Sequence, residues 1–297
     1  MPNYPDFLSF IDAYARRLAR SGNARTSETY LSAGRSFKEF LCGARPTFSQ
    51  ITGRLMESYE LWLHGRKLTR NTSSFYMRIL RAAYNRGVER GYTRQRDPFR
   101  HVYTGVDRTR KRAVTLPVIK KIKAMDLIEK PGLELSRDLF LFSFYTRGMS
   151  FIDMAYLRKS DFDGEFLRYR RKKTGQSISI RWEPCMQEIV DRHPGSGGWL
   201  LPILSPTGGD LRRQYQAAIV RENHHLGIIS KQLGLPVELT TYVARHSWAS
   251  LAYSQDIPVS VISEAMGHTS EKTTRIYLSS IGNSKIDKAN QQILKLL

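Results

Sequence analysis

Two cysteines in 297 residues, Cys42 and Cys185, are too few for a disulfide framework or a thiolate metal site, and they fit a reducing compartment. Long apolar runs are also missing. The best candidate, FLFSFYTRGMSFIDMAYL from Phe140 to Leu157, is interrupted by Arg147 and Asp153 well short of the ~20 apolar residues that a bilayer requires. The opening MPNYPDFLSF has no basic flank before an apolar core, so no secretory signal is expected and the chain is expected to be cytoplasmic. None of the histidines falls into an H-E-x-x-H spacing, and the adjacent His224 and His225 point to different faces of a helix, so neither a metal nor another cofactor is expected. The glycines of HPGSGGWL lack the preceding strand and following helix of a phosphate-binding loop and read as a turn.

Acidic residues are scarce. Against 47 lysines and arginines stand 27 aspartates and glutamates, a formal charge of +20 that both halves of the chain share. Such an excess favours a polyanionic partner, nucleic acid or an acidic membrane surface.

What is present is mostly helical periodicity. Phe7, Ile11, Tyr14 and Leu18 recur at helix spacing, as do Tyr30, Phe37, Phe40 and Leu41, and about four helices are predicted up to residue 92. The fourth, near Thr69 to Arg90, offers Phe75, Ile79, Leu80 and Tyr84 for packing. It also carries Arg70, Arg78, Arg81 and Arg86, whose forked guanidiniums suit phosphates and guanine edges better than lysine does. DPFRHVYTGVDRTRKRAV, residues 97–114, has no clear period and reads as a basic linker in which Arg110, Lys111 and Arg112 are further candidate DNA contacts. The expected domains are therefore 1–96 and 115–297.

A helix is predicted from Leu116, then a second through the Phe140–Leu157 run. FLRYRRKKTGQSISIRW alternates Leu167 and Tyr169 against Arg168 and Arg170, and Ile178 and Ile180 against Ser177, Ser179 and Arg181. This period of two around Lys172-Lys173-Thr174-Gly175 predicts a β-hairpin. Helical patterns resume at Leu211, so the fold class is mainly α with a small antiparallel sheet.

In TTYVARHSWASLAYSQDIPVSVISEAMGHTSEKTTRIYLSS, Arg245 and His246 open an apparent helix, His268 follows a helix-breaking glycine, and Tyr277 comes nine residues later. Each alone has an ordinary structural use. Together with Lys173 in the hairpin turn, their order and spacing closely resemble the catalytic domain of the tyrosine recombinases, also called the phage integrase family. The resemblance covers nearly the whole chain and implies a helical, SAM-like core-binding domain followed by the catalytic domain, the two forming a C-shaped DNA clamp.

Two positions depart from the family pattern. Tyr242 stands where H-x-x-R has its histidine, and Ser150, in Gly148-Met149-Ser150-Phe151-Ile152-Asp153, stands where the first catalytic arginine belongs. The serine resembles a subgroup found in conjugative-transposon integrases and phase-variation or shufflon invertases of gut bacteria. If Phe140–Leu157 is one helix, Arg147 shares a face with position 150 and can deliver the missing guanidinium from the neighbouring turn.

The resemblance implies a site-specific recombinase that needs neither metal nor ATP. Tyr277 would be the nucleophile, Arg245 and Arg147 the phosphate cations, Lys173 the general acid, His268 and Tyr242 hydrogen-bonding partners, and Asp153 the carboxylate that orients them. Double-stranded DNA would be the partner, with a dimer on each site and a tetramer in the synapse, joined through the apolar face of the tail (Ile286, Ile293, Leu294, Leu297). Little chain precedes the first helix, so no arm-site domain is expected and a simple invertase or resolvase-like recombinase is favoured over a regulated integrase. Two alternatives remain open at this level: a type IB topoisomerase, and a DNA-binding regulator with a decayed site.

Overall fold

The computed structural model describes residues 6–107, 113–278 and 294; of Ile276 and Tyr277 the backbone is described and the side chains are not. The chain divides into two compact units, the first running to Thr109 and the second from Arg110.

Four helices build the first unit: α1 (Phe7–Arg20), α2 (Ala24–Phe40), α3 (Gly53–Gly65) and α4 (Arg70–Glu89). Each start has a local cause. Asp6 accepts from the Ser9 amide at 2.8 Å, and Thr52 and Thr69 accept from Leu55 and Thr72, which satisfies donors that a helix N-terminus leaves unpaired. The apolar stripes meet in an aromatic core of Phe7, Phe10, Phe37, Tyr59 and Tyr84, with Met77 and Leu80, all buried. Each such side chain stabilises the fold by about 1.5–3 kcal/mol relative to exposure.

This unit runs past residue 96. Phe99 and Val102 join its core, the Tyr103 amide donates to Glu60 at 2.8 Å, and Asp107 is held on Asn71. A segment that lacks periodicity can still be fixed by a few anchors. The remaining candidate contacts Arg110, Lys111 and Arg112 lie outside the described residues, as does the tail except Leu294.

The second unit contains α5 (Leu116–Lys123), α6 (Pro131–Tyr145), α7 (Phe151–Ala155), β1 (Phe166–Arg170), β2 (Ser177–Arg181), α8 (Pro184–Arg192), α9 (Leu211–Gln232), α10 (Val243–Ser254), α11 (Val259–Ala265) and α12 (Glu271–Leu278). β1 and β2 pair antiparallel, with Leu167 opposite Ile180 and Arg170 opposite Ser177. Phe142, Leu167, Leu226, Ile229, Val243 and Ala244 lie in its main core. A smaller cluster, Ala249, Ala252, Ile262, Met266 and Leu278, ties α10, α11 and α12 together beneath the loop that carries His268.

One sequence expectation is corrected. Phe140–Leu157 is two helices, not one: α6 ends at Tyr145, Arg147 (φ 60°) and Gly148 (φ 73°) both adopt left-handed backbone, and Ser150 stands at the N-terminus of α7. Arg147 and Ser150 therefore do not share a helix face. The helix is broken because Gly148 must pass Arg245: a Cβ there would come within 2.8 Å of the Arg245 Cα.

Candidate active site

Arg245, on the first turn of α10, is 2 % exposed. Such burial of a guanidinium is costly unless its donors are satisfied. Here they are: Nη1 donates to the Gly148 carbonyl and Nη2 to the Met266 carbonyl, both at 2.6 Å, and Nη2 also donates to His268 Nε2 at 3.0 Å. The side chain thus clips the α6–α7 loop to the α11–α12 loop.

Arginine only donates, so His268 Nε2 must accept and the imidazole proton sits on Nδ1. From there it is donated to Thr274 Oγ1, 2.8 Å away on α12. Burial, then the positive charges of Arg245, Arg171 and Lys173, push the His268 pKa down to about 4. The histidine is neutral near pH 7 and fixes the orientation of the guanidinium. Gly267 allows the approach: its φ is 62°, and a Cβ would lie 2.6 Å from Arg171 Cδ.

Asp153, 3 % exposed on α7, organises the other side. Its Oδ2 accepts from Ser150 Oγ at 2.6 Å, and its Oδ1 accepts from the Lys172 amide at 2.8 Å, which fixes the base of the hairpin turn. Lys173 stands exposed in that turn, closed by Gly175 with φ 71°. The charge buried against Asp153 is Arg171, a residue the sequence reading passed over: it is 6 % exposed, with Nε 3.6 Å from Oδ2 and Nη1 donating to the Gly267 carbonyl. Its signal was parity. Leu167, Tyr169 and Arg171 alternate with the outward Arg168 and Arg170, so Arg171 continues the inward face of β1.

Arg147 is half-buried, and its Nη1 donates to the Ser179 carbonyl on β2 at 3.3 Å. Burial pushes the Tyr169 phenol up and Asp153 adds to this, against the opposing pull of Arg245, Arg171 and Arg147; one ring thus senses all three arginines. Tyr242 precedes α10, 46 % exposed, its ring edge-on to His246. Tyr277 lies on α12, one turn beyond Thr274; its side chain is outside the described residues. The structure therefore brings Arg245, His268, Asp153 and Arg171 into one connected group, with the Lys173 turn and the Arg147 loop fastened to it.

On α4 the candidate arginines have protein partners. Arg70 stacks on Tyr103 at 3.7 Å and pairs with Asp107, Arg81 donates to Thr104 at 3.0 Å, and Arg86 lies over Tyr14 at 4.8 Å. Arg78 Nε donates to the Ser74 carbonyl at 3.4 Å. No group of three or more potential metal ligands occurs among the described residues, and no helix among them is long and apolar enough to cross a membrane.

Residues 6–103 match the family described as Phage integrase SAM-like domain. The tyrosine recombinase XerC of Roseiflexus castenholzii (strain DSM 13941 / HLO8) is 27 % identical over 286 residues, covering 90 % of this chain and 87 % of that protein. A lambda integrase(75-356) dimer bound to a COC' core site shares the fold at a TM-score of 0.68 and 18 % identity, over 89 % of this chain and 96 % of that one. XerH site-specific recombinase bound to difH substrate does so at 0.66 and 16 %, covering 93 % of each chain.

A SAM-like helical unit followed by a mainly helical unit with one hairpin, in which a buried arginine is locked to a loop histidine, defines a fold of the phage integrase type. Its first unit matches the phage integrase SAM-like domain, and over nine-tenths of its length the chain is similar to a tyrosine recombinase.

Proposed function

We propose that this chain is a site-specific DNA recombinase that cuts and rejoins DNA through a 3′-phosphotyrosyl link, of the subgroup with serine in place of the first catalytic arginine, working in a bacterial cytoplasm. The observation that carries the reading is the Arg245–His268 lock: a buried, pre-oriented guanidinium held by a histidine whose loop leads directly into the helix of Tyr277. Fixed cations are what phosphoryl transfer needs, because charge grows on the non-bridging oxygens while little proton chemistry occurs at phosphorus.

In this mechanism the Tyr277 oxygen forms a bond to phosphorus as the bond from phosphorus to the 5′ oxygen breaks. The phenolic proton passes to solvent, and the departing 5′ oxygen takes a proton from Lys173 Nζ. Arg245 grips the non-bridging oxygens, His268 holds Arg245 in register, and Tyr242 and Arg147 lend hydrogen bonds from the rim. Asp153 orients the hairpin. The ester conserves the bond energy, so a second strand's 5′ hydroxyl can reverse the step without ATP or metal.

Arg70, Arg78, Arg81 and Arg86, with Arg110, Lys111 and Arg112, would hold the duplex backbone. We assign the tail from Ile286 to Leu297 to docking in trans, giving a dimer on one site and a tetramer in the synapse, and inversion of DNA segments as the outcome. Lambda integrase structures, a dimer on a core site and a tetramer on a Holliday junction, support that stoichiometry. A nicked suicide duplex tests the chemistry. The wild-type chain should trap a covalent adduct, and Tyr277→Phe should bind equally well and trap none; an adduct surviving in Tyr277→Phe moves the nucleophile elsewhere, and no adduct from either protein leaves a DNA-binding regulator.

A further inference from the structure

We propose that Arg171 gives the scissile phosphate the second guanidinium that position 150 lacks, which makes it a catalytic residue; the assignment rests on the recombinase reading above. Four observations lead there. Arg171 is buried at 6 % exposure, yet only Nη1 of its guanidinium has a hydrogen-bond partner among the described residues: Nε is enclosed without one, 3.6 Å from its carboxylate neighbour. A buried arginine kept for the fold alone is normally satisfied on all sides, because each unmade bond to a charged group is costly. A guanidinium with donors in reserve suits a bidentate anion.

Its position is the second observation. Arg171 and Arg245 donate to consecutive carbonyls, Gly267 and Met266, just before His268, so the two cations flank a single loop. Third, Asp153 faces Arg171 because Ser150 is short: the serine hydroxyl caps Oδ2 at 2.6 Å, whereas an arginine at 150 would compete for the same carboxylate. The charge expected from α7 is thus delivered from the hairpin. Fourth, Asp153 also holds the Lys172 amide, so one carboxylate sets both Arg171 and the turn of the general acid. Arg147, by contrast, directs Nη1 to a β2 carbonyl and is only half-buried.

In the transfer step Arg171 exchanges no proton and forms no covalent bond. It stabilises charge on a non-bridging oxygen while phosphorus exchanges its 5′ oxygen for the tyrosine oxygen. The test is single-turnover cleavage by Arg171→Ala and Arg171→Gln on two suicide duplexes, one with an ordinary scissile phosphodiester and one with a neutral methylphosphonate there. Circular dichroism checks folding; should Arg171→Ala not fold, Arg171→Gln, which keeps a donor for Gly267, carries the comparison.

Cleavage of the phosphodiester should fall about 100- to 1000-fold with DNA affinity unchanged, the scale of one lost transition-state contact. On the methylphosphonate the loss should shrink to less than about tenfold, because the charge to be stabilised is gone. Equal losses on both substrates, or no loss on either, overturn the assignment and leave Arg171 a structural ion pair. A wild-type protein that cleaves neither duplex overturns the recombinase reading and the assignment with it.

Discussion

Arginine is used in opposite ways in the two units. On α4 of the first unit, Arg70 and Arg86 are exposed residues whose guanidiniums rest on tyrosine rings at the surface. In the second unit, Arg245 and Arg171 are buried and pinned to backbone carbonyls. A cation over an exposed ring gains only about 0.5–1 kcal/mol, so it keeps freedom to meet a backbone phosphate. A cation locked by carbonyls has no such freedom, and its field is already arranged when charge develops. Exposed arginines should therefore govern affinity, and buried ones rate.

The largest effect that sharpens this contrast is Arg245→Ala. Cleavage at saturating DNA should fall by about 1000-fold or more while half-site affinity changes less than about threefold. A matching collapse of affinity would erase the distinction between the units. Next comes Lys173→Ala, slowed by about 100-fold on ordinary DNA and largely rescued when the bridging 5′ oxygen is replaced by sulfur, which leaves without a proton. Equal damage on both substrates would make Lys173 a backbone contact like those proposed for α4.

Arg86→Ala should act on the other side of the comparison. Affinity should fall about three- to tenfold, the slope of log affinity against log salt should drop by about 1, and cleavage of bound DNA should stay normal. An unchanged salt slope would make Arg86 a purely structural partner of Tyr14. The smallest effect concerns His268. Its pKa falls from 6.5 to about 4 on folding, so between those values the unfolded chain binds a proton that the folded chain refuses. That stability is fully present above pH 6.5 and is lost as pH falls towards 4. Denaturant titrations from pH 7 to 4 should show His268→Gln flattening the acid loss by about 1 kcal/mol, a screened value for a partly exposed group.

Legibility followed the same division. The α4 arginines and the hairpin were readable because a period of 3.6 or 2 states which face is which. Lys173, Arg245, His268 and Tyr277 were singled out by order and spacing, and of these the structure joins Arg245 to His268 and places Lys173 exposed in the hairpin turn. The break after Tyr145 was hidden inside an unbroken apolar run, although Gly148 and a serine three residues before Asp153 are the usual signs of one helix ending and another beginning. Arg171 was hidden for another reason. Four basic residues in a row read as an exposed patch, and only the alternation from Leu167 shows that one of them faces inward. The helix α8 is short, opened by Pro184, and its two buried positions, Met186 and Ile189, are too few to announce a period.

The position of the covalent link decides the mechanism most directly. Peptide mapping by mass spectrometry of the wild-type adduct trapped on a nicked duplex should find a 3′-phosphonucleotide on the peptide containing Tyr277 and on no other. Attachment to a serine, to Tyr242 or Tyr253, or at a 5′ phosphate would contradict it.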